Sequence, residues 1–306
     1  MRDTTTFLEA PGCETELLAD IREGRSVLLE KVLLVLAGLK EDEAIKAYQR
    51  KIDAVFVRCQ SKCIKESPAR YVQLPLYRHR SFARCMFDYL WTSKPKRFGA
   101  SFFLTEAIDA QLDPDVNRPV GTCVGLTSLF SVLGLRAGLQ LSLLMDSEHV
   151  LNRLRIGEQI IDIDNTDPQG FNCRTSGDFT EFPLPLLAAN VLNSRGLYKE
   201  RNGSFMAARE DYEKAVRVNP GYANAYNNRG NMKFLGNDVE AAIADYGAAI
   251  GLNPNFCEAY CNRGMAWQRL GRYEEARLDY HMAMAINGDY ADAQRCLRLL
   301  DEPESR

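Results

Sequence analysis

The chain has 306 residues, 46% hydrophobic and 26% charged, with a formal net charge of -3. That is ordinary globular composition, long enough for two domains of normal size. With no overall excess of cations to neutralise phosphate, neither nucleic acid nor a membrane surface is an expected partner.

Met1 to Phe7 lack the apolar core of a signal peptide. The apolar run Val27 to Leu39 is interrupted by Glu30 and Lys31 and is too short to span a bilayer. It reads as an amphipathic core helix, and the expectation is a soluble, cytoplasmic protein. Nine cysteines, an odd number without a compact framework, fit reduced thiols. Cys59/Cys63 and Cys257/Cys261 each fall one helical turn apart, but a zinc site needs two further ligands. With only three histidines (His79, His149, His281), buried structural thiols are expected, with no metal and no other cofactor.

Apolar spacing predicts helix through much of Thr15 to Cys59, then over Phe82 to Trp91 and Ser101 to Ala110. The cations from Tyr77-Arg-His-Arg80 to Lys94-Pro-Lys-Arg97 read as a solvated helix face and loop. At Gly121-Thr-Cys123 another helix begins, with Cys123, Leu126, Phe130 and Leu133 on one apolar stripe. Cys123 has two readings there. It is a small residue on an inward face, or a nucleophile whose thiolate the helix N-terminus favours.

After Gly138 the pattern turns to strands: Leu139 to Met145, His149 to Ile156, and Gln159 to Thr166. Gly157-Glu158 is a two-residue hairpin turn, which pairs Ile156 with Gln159 and Arg153 with Asp162. His149 then faces Thr166 and is the diagonal neighbour of Asp164. Asp162 is assigned to an ion pair with Arg153, and Asp164 to orienting His149. A slip of one residue would move Asp164 to the other face. Cys123, His149 and Asp164 form the candidate catalytic set, in the order nucleophile, base and orienter.

Gly121-Thr-Cys123 opening a helix, His149 on a strand and Asp164-Asn-Thr166 closing the next resemble the transglutaminase-like cysteine fold. The aromatic residues that this family often carries near its His and Asp are replaced here by Leu151 and Ile161. The resemblance implies an α+β domain over residues 1–185 and a Cys-His-Asp thiol hydrolase or acyltransferase. More loosely, the whole chain resembles bacterial transglutaminase-like proteins with a helical N-terminal part and a tetratricopeptide tail, many of which have lost the nucleophile.

Asp167 to Asp178 is dense in turn formers, and Phe182-Pro-Leu-Pro185 reads as a stiff junction. Beyond it Gly196, Gly230 and Gly264 recur every 34 residues, as do Ala208/Ala242/Ala276, Tyr212/Tyr246/Tyr280 and Ala215/Ala249/Ala283. This is the tetratricopeptide signature. It implies an all-α solenoid over residues 188–300: three repeats (188–220, 221–254, 255–288) and a capping helix. Its groove offers Asn190, Asn193, Asn224, Asn227 and Asn231, whose carboxamides suit an extended peptide. The carboxylate clamp of chaperone-binding relatives is absent, because the corresponding positions hold Asn193, Leu197, Asn228, Glu258 and Asn262. Two functions follow as expectations. One is acyl transfer on a protein or peptide recruited by the repeats; the other is a non-catalytic adaptor with a degenerate first domain.

Overall fold

A computed structural model describes residues 14–66, 75–146, 149–173, 175 and 179–301. They form two compact units, with the chain passing from the first to the second at Val191/Leu192.

The first unit begins with six helices: α1 (Glu14–Arg22), α2 (Leu29–Leu36), α3 (Asp42–Glu66), α4 (Pro75–Ser93), α5 (Leu104–Leu112) and α6 (Cys123–Arg136). The run from Thr15 to Cys59 thus holds three helices. Gly24 and Gly38 separate them at φ 69° and 94°, a left-handed conformation that glycine adopts without strain. α2 is more buried than an amphipathic surface helix would be. Even Glu30 is inside, 7% exposed, and holds Arg136 Nε and Nη2 at 3.0 and 2.8 Å.

Two expectations are corrected here. Cys63 on α3 and Cys85 on α4 are joined as a disulfide, their Cα atoms 5.6 Å apart, so the thiols are not all reduced. α3 packs against α4, and that contact between distant segments brings the pair into bridging range. Lys94 and Arg97 do not lie on a solvated loop but are 2% and 1% exposed. Lys94 is drawn inward by the carbonyl oxygens of Asp113 and Asp115.

The sheet has four antiparallel strands in the order β3-β2-β1-β4. They are β1 (Gln140–Met145), β2 (Val150–Ile156), β3 (Gln159–Ile163) and β4 (Thr180–Pro183). The β2–β3 register pairs Ile156 with Gln159 and Arg153 with Asp162, as the two-residue turn implies. Gly157 takes φ 60° at the first turn position, the conformation a primed hairpin turn asks of it. β3 stops at Ile163, three residues short of Thr166, because the Asp164 N–H turns aside to Gly170 C=O at 2.9 Å. Phe182 and Pro183, read as a rigid junction, are an edge strand on β1, where proline is tolerated. α6 packs on β1 and β2, and Val124 to Gly134 are all buried, so it is a central helix and not a one-faced one.

From Leu187 the chain is helical: α7 (Leu187–Arg201), α8 (Phe205–Val218), α9 (Ala223–Leu235), α10 (Val239–Leu252), α11 (Cys257–Arg269), α12 (Tyr273–Ile286) and α13 (Ala291–Asp301). α8 to α12 each pack on the next helix in the chain, and α13 closes on α12. Within each helix pair a glycine meets a tyrosine ring. A Cβ at Gly196, Gly230 or Gly264 would lie 2.5, 2.7 or 2.6 Å from Cε1 of Tyr212, Tyr246 or Tyr280. A second 34-residue series accompanies this one: Arg195–Asp211, Arg229–Asp245 and Arg263–Asp279 are two-pronged ion pairs at 2.6–2.9 Å. Their carboxylates are buried, and paired guanidinium forks offset the cost of burying them. Among the described residues, no helix is long and apolar enough to cross a membrane.

Candidate functional site

Cys123, His149 and Asp164 come from three places in the first unit and meet. Cys123 is the first residue of α6. The segment before it is clamped to residues 97–101. Arg97 C=O accepts the N–H groups of Val120 and Gly121 at 2.8 and 3.0 Å, and Thr122 N–H donates to Ser101 C=O at 2.6 Å. A Cβ at Gly121 or Gly125 would fall 2.6 or 2.8 Å from the Ser101 oxygen, so only glycine allows this approach. Thr122 makes no side-chain cap bond, which leaves the positive end of the helix uncapped beside the thiol.

His149 directly precedes β2, its N–H held by Asp146 Oδ1 at 2.7 Å. Its Nε2 lies 3.0 Å from Asp164 Oδ2, and Cys123 is close enough to act on the ring electrostatically. The hydrogen bond to Asp164, and next the interaction with Cys123, push His149 up to about 10 against opposing desolvation. For Asp164 the largest single effect is burial, which raises it. Hydrogen bonds from His149 and Thr166 together outweigh that and hold the carboxyl below its usual range. Asp162 is engaged elsewhere: Arg153 Nε and Nη2 donate to its two oxygens at 2.7 and 2.9 Å.

Several residues outside the candidate set fix this geometry. Thr166 donates its N–H and hydroxyl to Asp164 Oδ1 at 2.8 and 2.6 Å. Gly170 lies so close that a Cβ there would be 2.2 Å from the Asp164 carbonyl oxygen. A buried polar chain ties the hairpin to α6. Thr127 donates to the carbonyl of Val150 at 3.2 Å, next to His149. Asn165 donates to Asn152 and Asn152 to Ser131, both at 2.8 Å, next to Asp164. Thus the neighbour of His149 is bonded directly, and that of Asp164 through Asn152, to the helix that Cys123 begins. Hydrogen-bonding residues in buried α6 turns are the signal in the sequence, but nothing local names their partners.

In the repeats, Asn190, Asn193 and Asn227 are buried, while Asn224 and Asn231 are half-buried. Asn193 accepts from Asn228 at 2.9 Å, and Asn227 accepts from Asn262 at 3.0 Å and donates to Glu258 at 3.1 Å. These bonds stitch each repeat's first helix to the next. Asn231 accepts from the Tyr246 hydroxyl at 2.9 Å. Part of the carboxamide capacity expected to meet a peptide is therefore spent within the solenoid. Among the described residues, no group of three or more His, Cys, Asp or Glu is placed to hold a metal ion.

Comparison with known proteins bears on the repeats. Residues 230–271 match a family model described as TPR repeat, and residues 257–290 one described as Tetratricopeptide repeat. Similar solved structures include the Arabidopsis OM64 TPR domain, 24% identical over 38% of this chain and 95% of that one, TM-score 0.37. The first TPR domain of the human RPAP3 protein is 28% identical over 37% of this chain and 88% of that one, TM-score 0.36. The first TPR of Spaghetti (RPAP3), bound to an HSP90 peptide, is 28% identical over 37% of this chain and 89% of that one, TM-score 0.36. No curated protein matches the chain. The C-terminal region is a helical solenoid of tetratricopeptide repeats.

Proposed function

We propose that the first unit is a cysteine-dependent acyl-transfer domain of the transglutaminase-like kind, and that the repeats bind its protein or peptide partner. The observation that supports this is one imidazole, that of His149, whose Nε2 lies 3.0 Å from Asp164 and on which Cys123 acts electrostatically. Cys123 Sγ attacks an amide or ester carbonyl and His149 holds the thiol's proton. The imidazolium passes that proton to the leaving amine or alcohol as the C–N or C–O bond breaks, leaving a thioester. Water or a second amine then attacks the thioester, His149 takes its proton, and Sγ leaves. Asp164 orients the ring and stabilises the imidazolium.

The experiment is labelling of the full chain with iodoacetamide at pH 7, followed by peptide mapping. Cys123 is expected to react at least about tenfold faster than Cys173 and Cys257, two half-buried free thiols. Equal rates at the three would remove the support for catalysis.

A second reading, a binding-only scaffold, is favoured by the family matches falling within residues 230–290. It predicts no burst of alcohol release from an activated ester, whereas the catalytic reading predicts a burst that Cys123→Ala abolishes. In either reading the repeats hold an extended peptide without clamping a terminal carboxylate. Glu258, at one of the clamp positions, repels one.

A further inference from the structure

The fold takes two cations of the segment Lys94-Pro-Lys-Arg97 inside and treats them differently. Lys94 Nζ donates to the carbonyl of Asp113 at 2.7 Å and to that of Asp115, so its charge rests on peptide dipoles. Arg97 has no such support among the described residues. Its Nε, Nη1 and Nη2 are all buried, and none has an acceptor among the described residues. The guanidinium carbon lies 5.6 Å from the centre of the Trp91 ring, whose own Nε1 is also buried without an acceptor. Four donor nitrogens on two adjacent side chains therefore have no acceptor among the described residues.

Leaving a guanidinium in that state is costly, and a cation–π contact returns only a small part of the cost. Neutralisation does not relieve it, because burial pushes Arg97 down only to about 9, above physiological pH. Nor is the segment free to swing into water. The Arg97 carbonyl is bonded to the N–H groups of Val120 and Gly121 at 2.8 and 3.0 Å, immediately before the start of α6. A fixed, buried, planar fork of N–H donors is what bidentate recognition of an oxyanion requires.

We propose that Arg97 and the indole N–H of Trp91 form a buried binding site for a small carboxylate, the guanidinium fork gripping its two oxygens. At 1% exposure, Arg97 favours a free small acid over a carboxylate carried on a polypeptide. The proposal does not rest on the acyl-transfer reading.

The test is thermal unfolding of the full chain in sodium acetate, with sodium chloride replacing it at constant ionic strength. The unfolding midpoint is expected to rise by roughly a few degrees and to saturate, as binding to the folded state requires. Arg97→Met removes the acetate response, and in chloride alone it unfolds no lower than wild type, because an uncompensated buried charge has gone. Trp91→Phe keeps the ring, loses one donor and shifts saturation to several-fold higher acetate. A short peptide with a free C-terminus acting at the same concentrations as acetate would support the chemistry and assign it to a chain end. The proposal is overturned if acetate and chloride give the same midpoint, if R97M retains the acetate response, or if a C-terminally amidated peptide raises the midpoint as acetate does. Should R97M not fold, the wild-type acetate-against-chloride comparison and the W91F titration decide it.

Discussion

The two oxygens of Asp164 have divided tasks. Oδ2 lies 3.0 Å from His149 Nε2, while Oδ1 receives the hydroxyl and N–H of Thr166 at 2.6 and 2.8 Å. A carboxylate anchored at one oxygen presents the other in a set direction, so the imidazole meets a partner that does not rotate away. The same bonds favour the charged forms of both groups, and this gives them a pH signature.

For His149 the folded value of about 10 lies above the unfolded value near 6.5. Its contribution to stability is therefore complete below about pH 6.5 and is lost as pH rises through about 10. Asp164, held below its ordinary 3.8, contributes above that value and loses its contribution as pH falls through its lowered one. Urea unfolding of wild type should show declining stability between pH 6.5 and 10, and His149→Gln should flatten that decline. A wild-type profile that is level across the window would contradict the pairing.

Asp162 and Asp164 are two residues apart with different roles, and matched substitutions separate them. Asp164→Asn should slow acylation of Cys123 by an activated ester by on the order of 10²- to 10⁴-fold. Asp162→Asn breaks the two-pronged contact with Arg153; it should cost about 1–3 kcal/mol in urea melts and leave the acylation rate unchanged. Equal rate effects from the two substitutions would show that Asp164 has no special part.

Gly170→Ala places a methyl 2.2 Å from the Asp164 carbonyl oxygen and 2.8 Å from its Cβ. The Asp164 backbone must move, so a loss of about 1–3 kcal/mol is expected, together with slower alkylation of Cys123. Gly138→Ala is the control. That residue has open space but φ 74°, so it should lose about 1 kcal/mol with alkylation unaltered. The comparison is read by calorimetry and timed labelling of both variants.

In the solenoid, Gly230→Ala should destabilise even though alanine is the better helix former by about 1 kcal/mol. Its Cβ would sit 2.7 Å from Cε1 of Tyr246, a ring 1% exposed with no room to retreat. A net loss of about 1–3 kcal/mol is expected. An unfolding midpoint at or above wild type would mean that the ring can move.

Much of this arrangement is legible in the chain itself. The 34-residue step exposes the repeats because each unit repeats the same helix–helix contact, so Gly, Ala and Tyr recur in phase. The Arg and Asp of the ion-pair series keep the same step. The β2–β3 register and the choice of Asp164 over Asp162 follow from a two-residue turn, a local feature with a period of two. What only the tertiary structure decided depends on contacts between distant segments. Cys63 meets Cys85 across 22 residues, Thr127 meets Val150 across 23, and Asn152 meets Asn165 across 13. Ser, Thr and Asn are as much at home in solvated turns as in a buried network, and an arginine in a cationic run looks solvated until packing closes over it. Local spacing encodes elements and their periods; burial and partnership belong to the assembled core, and they bring His149 to Asp164 and take Arg97 out of solvent.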